Sequence, residues 1–475
     1  MIVPQFMMAT PLAVAIIVYF LRRWPWVQAI VAAATAAVLA LLALQIPLDH
    51  VAVFAGRDVA FNGVWTVLGR SFTFVSDDRP ALAFIYLASM FFFAGAAAAG
   101  TSRTFAPVGL LMLSLLAATI FVQPFLFAAL FLEMIAAAAA LMLADDDHPD
   151  TRGAMRLLVF VTLAVPFILM AGWQLEGVAT SPDDPTLLVR ATGLLNIGFM
   201  ILLAIVPFHS WIPTVADNSS PFAAAFVFTV VQTAVMFFML KFFGQYEWLR
   251  SNPNEFALLR VAGTVMVVAG GAFAFAQRRM GRLMGYAVMI DTGASLIAVG
   301  LGTPDALRAA LLIVALRGAG LAVWGLGLNW LSAHTGATDL DDLAGKAWQM
   351  PFATAAVIVG GLSLAGFPLT AGFAGRWALY RLLAPGNVGL ALALLLASAS
   401  VGLASARTMA ALFRGGGQRA EGAEGLLANF SIQEGPVAVV MLAIGVLGLL
   451  LVGLFPQWVL PAVSTAAEAF KVLSQ

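Results

Sequence analysis

From Phe6 to Leu454 the chain returns repeatedly to apolar runs long enough to cross a bilayer, which takes about 20 residues for a helix. Runs of this length leave few folds open. Lipid offers no partner to a backbone N–H or C=O, so only helices and closed barrels can span it. The ten-residue alternation of barrel strands is absent, and the expectation is an all-α integral membrane protein. Composition agrees, with 62% hydrophobic and only 10% charged residues, far below the charge of ordinary soluble domains.

The pattern predicts about 14 transmembrane helices. Among them are the fifth over 123–144, the seventh over 189–208, the eighth over 221–243, the tenth over 283–303, the eleventh over 306–330 and the twelfth over 350–384. The twelfth is too long for one straight crossing and reads as a helix broken at Pro368. The stretch Phe6 to Leu21 lacks a basic start and a small-residue cleavage site, so it reads as a first membrane helix, not a signal peptide. Arg22, Arg23, Arg103, Arg278, Arg279 and Arg282 fall in odd-numbered loops, which assigns those loops to the cytoplasm and both termini outside, in a cytoplasmic (inner) membrane. The longer connections, Asp49 to Arg79, Asp339 to Gln349 and Gly415 to Glu434, are expected to be loops or surface helices. Only about 18 residues follow the last span, too few for a long C-terminal extension.

Lys plus Arg equals Asp plus Glu at 24 each, which gives no electrostatic footprint for nucleic acid and leaves the lipid bilayer as the partner that composition indicates. There is no Cys, hence no disulfide and no thiolate for an iron–sulfur cluster, and the four His are scattered. The chain is therefore expected to carry no cofactor, no metal and no catalytic centre of its own. The acidic run Asp145 to Asp150 reads as a solvated loop past a helix end. Trp24 and Trp26 suit an aromatic belt, and Lys241 and Arg250 are expected to snorkel to the interface.

An ionisable group at mid-membrane costs at least ~2.5 kcal/mol on insertion scales, so each one present is a functional hypothesis. Glu133, Asp291, Arg317 and Arg376 lie inside the fifth, tenth, eleventh and twelfth helices. An Asp291–Arg317 ion pair that fixes helix register is the structural alternative. The seventh helix ends in VPFHSWIPTVADNSSP, and five helices later AGFPLTAGFAGR again sets Pro and Gly beside polar residues. Discontinuous helices in corresponding places mark mid-membrane sites of inverted repeats. The resulting division is helices 1–3 in 1–103, one five-helix repeat in 104–243, a second in 256–412, and a loop with helix 14 in 413–475. His209, beside the first break, is a candidate for the pathway, or for hydrogen bonding to the freed backbone.

These motifs, with RRMGRLMGYAVMIDTG and the Glu of FLEM, resemble the antiporter-like proton-channel subunits shared by respiratory complex I, Mrp-type cation/proton antiporters and group-4 membrane-bound hydrogenases. The resemblance implies 14 helices, two inverted five-helix repeats, and a line of charged residues that relays protons or monovalent cations. It also implies partnership with other membrane subunits of one energy-converting complex. Glu133 matches the family's fifth-helix Glu; Asp291 stands where the tenth-helix His is expected, and Arg376 where the twelfth-helix Lys is expected. Leu202 and Gln232 occupy the positions of two further lysines. A path through Glu133, Gln232 and Asp291, tuned by Arg317 and Arg376, is one reading. A structural, non-pumping subunit, a stand-alone secondary transporter and a partner of an inorganic-carbon uptake protein are the others.

Overall fold

The structure, a computed structural model, describes residues 2–46, 51–54, 57–144, 150–180, 185–336, 338–414, 433–470 and 473, with side chains of 51–60 and 176–185 left aside. The chain opens with α1 (Val3–Phe20) and α2 (Pro25–Gln45). Two antiparallel hairpins follow, β1 (Val51–Phe54) with β2 (Arg57–Ala60) and β3 (Val64–Val67) with β4 (Arg70–Thr73). Then come α3 (Arg79–Ala99), α4 (Phe105–Phe121), β5 (Val122–Gln123), α5 (Ala128–Leu143), α6 (Arg152–Thr180), α7 (Pro185–Leu202), α8 (Trp211–Asn218) and α9 (Pro221–Gln245). The second half holds α10 (Glu247–Arg250), α11 (Pro253–Ala276), α12 (Met280–Val299), α13 (Pro304–Thr335), α14 (Pro351–Leu364), α15 (Phe373–Leu383), α16 (Val388–Phe413), α17 (Pro436–Leu454) and α18 (Leu460–Glu468).

The protein is an all-α multi-pass membrane protein. Among the described residues eleven helices are long and apolar enough to cross a bilayer, and three further apolar helices, Phe105–Phe121, Thr186–Leu202 and Pro351–Leu364, are shorter. Fourteen crossings therefore require those three to span with help from the segments that continue them. Proline sets many of the helix starts, including Pro25, Pro80, Pro221, Pro253, Pro304, Pro351 and Pro436, because its missing N–H costs nothing in a first turn. Thr303 and Asn387 add side-chain caps to Ala306 N and Leu390 N.

The segment Asp49 to Arg79 departs from the expectation of loop or surface helix. Its hairpins are local: Leu68 and Gly69 both have positive φ, 50° and 73°, the geometry of a tight primed turn, and β5 adds a third strand beside β4. The residues 415–432 lie outside the described residues, as do 145–149 of the acidic run. Asp150 itself binds Arg152 and Asn218, and no metal-spaced group of three acidic, His or Cys residues occurs among the described residues.

At the centre stands α9, whose apolar window is entirely buried, packed by α3, α4, α5 and α13. The bundle's periphery is lipid-like; α17 buries only 17% of its window. Two breaks interrupt this packing. After α7, Ile205 N bonds Met200 O at 2.9 Å around Ala204, whose φ is 56°. After α14, Phe367 N bonds Leu362 O at 2.9 Å around Gly366, whose φ is 70°. Both are six-to-one helix terminations through a left-handed residue. The stops are thus made by the backbone, with Pro207 and Pro368 following them and preventing resumption.

Gly366 has a second constraint. A Cβ there would lie 2.5 Å from Cγ of Arg376, so the break and the arginine on α15 are packed against one another. Gly366→Ala should destabilise the protein by about 2 kcal/mol, from the left-handed φ and the clash together, read as a lower thermal midpoint in detergent or nanodiscs. Gly386→Ala, at a position with no atom within 4 Å of its Cβ and no positive φ, should leave the midpoint unchanged.

Candidate functional site

Four of the six side chains singled out in the sequence meet in one buried cluster. Asp291 lies mid-way along α12, Arg317 on α13, Arg376 near the start of α15 and Gln232 on α9, with exposures of 4%, 3%, 2% and 3%. Arg376 Nη2 donates to Asp291 Oδ1 in a direct ion pair. Arg317 Nη1 donates to Thr292 Oγ1 at 2.9 Å and to Gln232 Oε1 at 3.2 Å, while Thr292 Oγ1 donates to Gln232 Oε1 at 2.8 Å. The expected Asp291–Arg317 register pair is therefore replaced: the carboxylate takes Arg376, and Arg317 reaches across to α9. Asp291 and Thr292 are adjacent on α12, which holds the two halves of the cluster together.

The local chemistry follows from residue type. Both guanidiniums are permanent cations and pure donors, Gln232 and Thr292 are neutral, and Asp291 is the one group of the cluster that changes charge in an accessible pH range. The glycines that surround it allow the packing. α8 and α12 cross closely enough that a Cβ on Gly285 would meet Pro213 Cα at 3.0 Å, and the Gly375 position would meet Ile313 Cγ1 at 2.8 Å. Asp217 on α8 clamps the same crossing at the membrane edge, accepting from Arg279 Nη1 and Arg282 Nε, both at 2.9 Å.

Glu133 and His209 lie apart from the cluster. Glu133 is half-buried on α5, on a stripe shared with the exposed Leu130, Met134 and Leu141, and it has no hydrogen bond or ion pair among the described residues. His209 sits in the single helical turn Phe208–Ser210 after the first break, with its ring stacked on Phe273 at 5.9 Å and no partner for Nδ1. Leu202 is buried in the apolar core.

One charged pair was not foreseen. Lys241 does not snorkel; its Nζ lies 2.5 Å from Asp78 Oδ1, donates to Ile120 O at 2.8 Å, and stands 5.5 Å from the centre of the Phe125 ring. The available signal was a lysine within an otherwise apolar helix whose every face is covered. Trp24 and Trp26, in contrast, are exposed, as a membrane belt requires.

The family described as NADH:quinone oxidoreductase/Mrp antiporter, transmembrane, matches residues 150–402, over half of the chain. The chain belongs to this family. NADH-quinone oxidoreductase subunit N of Chromohalobacter salexigens is 34% identical over 209 residues, 42% of each chain. Formate hydrogenlyase subunit 3 of Escherichia coli is 30% identical over 298 residues, 57% of this chain and 47% of that one. The chain thus matches about half the length of these curated relatives. Whole-chain likeness appears among solved structures: a subunit of an archaeal membrane-bound sulfane sulfur reductase has a TM-score of 0.83 at 18% identity, covering 98% and 97% of the two chains. A chain of the Mrp complex from Dietzia has a TM-score of 0.81 at 16% identity, covering 99% of both. At these identities the fold is what is shared.

The Asp78–Lys241 pair gives a direct stability test. Removing one partner from a buried ion pair leaves the other uncompensated, so Asp78→Leu should cost about 3 kcal/mol, and Asp78→Leu with Lys241→Met should recover more than half of that in a double-mutant cycle.

Proposed function

We propose that this family member is one membrane subunit of a multisubunit energy-converting complex and carries protons through the bilayer, with Asp291 as the titrating relay at its centre. The carrying observation is the Gln232–Thr292–Arg317 and Asp291–Arg376 cluster, in which one carboxylate is held beside two fixed cations on four packed helices. When Asp291 is ionised it is bound to Arg376. When it takes a proton that ion pair is lost, and the released guanidinium must find other acceptors, so proton uptake is tied to a rearrangement around the second helix break. Arg376 supplies the field and Asp291 moves the charge.

The fold and the two matching helix terminations support fourteen crossings arranged as two inverted five-helix units, 104–243 and 256–412. The basic loops support an orientation with both termini outside an inner membrane. Glu133 completes the reading from the side: a half-buried carboxylate with no partner among the described residues suits a cation or donor supplied by a neighbouring subunit. The relatives named above as oxidoreductase, hydrogenlyase and Mrp components support that kind of assembly. Monovalent cations are the alternative cargo.

A second reading, a subunit that holds a complex together without flux, is favoured by Leu202 and Gln232, neither of which can carry a proton. One measurement separates the two. In the intact complex reconstituted into vesicles, Asp291→Asn should lower proton translocation about 100-fold, and Glu133→Gln should lower it less. Unchanged translocation in Asp291→Asn would establish the structural reading instead.

A further inference from the structure

The central cluster contains more positive charge and more hydrogen-bond donors than the described residues answer. Two guanidiniums, Arg317 and Arg376, face one carboxylate, Asp291, so the ionised cluster carries a net charge of plus one among buried side chains. The other buried or half-buried carboxylates are engaged elsewhere or distant. Asp78 pairs with Lys241, Asp217 with Arg279 and Arg282, Glu255 accepts from Asn196, Glu434 accepts from Ala353 N at the start of α14, and Glu133 lies on the outward face of α5.

The donors show the same imbalance. Arg317 Nε and Nη2, Arg376 Nη1 and Gln232 Nε2 are all buried without a hydrogen-bond partner among the described residues. The orientation of Gln232 is fixed by chemistry: Arg317 has no acceptor, so the amide oxygen must face Arg317 and Thr292, which leaves the amide nitrogen as the free donor. The amide and guanidinium groups that make those bonds are only a few covalent bonds across, so the free donors of Gln232 and Arg317 belong to one neighbourhood. Every unanswered group of these three side chains is thus a donor, and the one acceptor among them, Gln232 Oε1, is already in use.

We infer that this cluster binds a small monovalent inorganic anion of halide size, held by the free donors of Arg317 and Gln232. An acceptor-only ligand matches a donor-only set, and a single negative charge cancels a net single positive one. Water could accept from the donors but would leave the charge, and a buried uncompensated cation costs several kcal/mol. A divalent anion would reverse the sign of the imbalance. The inference goes beyond the proton-relay reading and does not depend on it, since the charge excess exists whether or not Asp291 ever moves a proton.

The test uses the purified full-length protein in nanodiscs or detergent. At matched ionic strength, replacing sodium gluconate by sodium chloride or sodium bromide should raise the thermal midpoint saturably, by about 3 °C. Gln232→Glu builds the missing negative charge into the cluster beside Arg317. That variant should have the same midpoint in gluconate and chloride. As a measurement independent of any variant's folding, crystals grown in sodium bromide should give an anomalous peak within hydrogen-bond reach of the Arg317 guanidinium. The inference is overturned if wild-type protein is indifferent to the halide, if Gln232→Glu retains the full halide response, or if the bromide data place only water at Arg317. None of these results reads proton translocation, so a failed anion site and a failed relay are distinguishable.

Discussion

The ion pair between Asp291 and Arg376 organises the second half of this protein. A carboxylate or a guanidinium alone at this depth would cost the membrane-embedded chain several kcal/mol, and neither is reachable by bulk water. The Arg376 side chain reaches Asp291 from α15, which packs on α13 and α16 and begins after α14 has stopped. The stop depends in turn on Gly366, which adopts the left-handed conformation and leaves room for the arginine stem. Charge compensation, helix termination and close packing are therefore one constraint expressed three ways.

The same logic explains the position of α9. A helix with all faces covered has protein beside it instead of lipid, so its polar side chains meet other side chains and backbone. The Gln232 amide oxygen accepts from Arg317 and Thr292, and Lys241 is held by Asp78 and a backbone carbonyl. These two polar positions lie nine residues apart, about 13.5 Å along the axis. Between them Phe237, Phe238 and Leu240 are buried. The two are thus separate polar stations on one central helix.

Much of this was legible in the sequence, for a physical reason. Apolar runs of fixed length, proline and glycine inside them, and charges within those runs are local signals, and they pointed to membrane helices, the two breaks and the residues Asp291, Arg317 and Arg376; Gln232 was singled out only through the family resemblance. Pairing is not local. Which arginine takes Asp291 depends on how α13 and α15 approach α12, and the linear chain left both Arg317 and Arg376 open. Lys241 was misread because a lysine near a helix end snorkels only if lipid lies beside it, and burial of α9 on all faces is a property of the assembled bundle. The hairpins of 51–73 were missed because the segment was assigned by its position between membrane helices. Asn62-Gly63, between β2 and β3, and the turn residues Leu68 and Gly69 were local cues.

The partners of both central contacts, Gln232 with Arg317 and Asp291 with Arg376, lie 85 residues apart in the chain. A polypeptide delivered to the membrane from its N-terminus therefore presents Asp291 well before the residue that neutralises it has been synthesised. α12 is also the least apolar of the eleven long helices, with a mean hydropathy of 1.3. Until α15 is made, the carboxyl of Asp291 lacks the cation that it pairs with in the folded chain. The order of synthesis thus makes the broken segment Ala365 to Gly372, which leads into α15, the last stretch laid down before that pair can close.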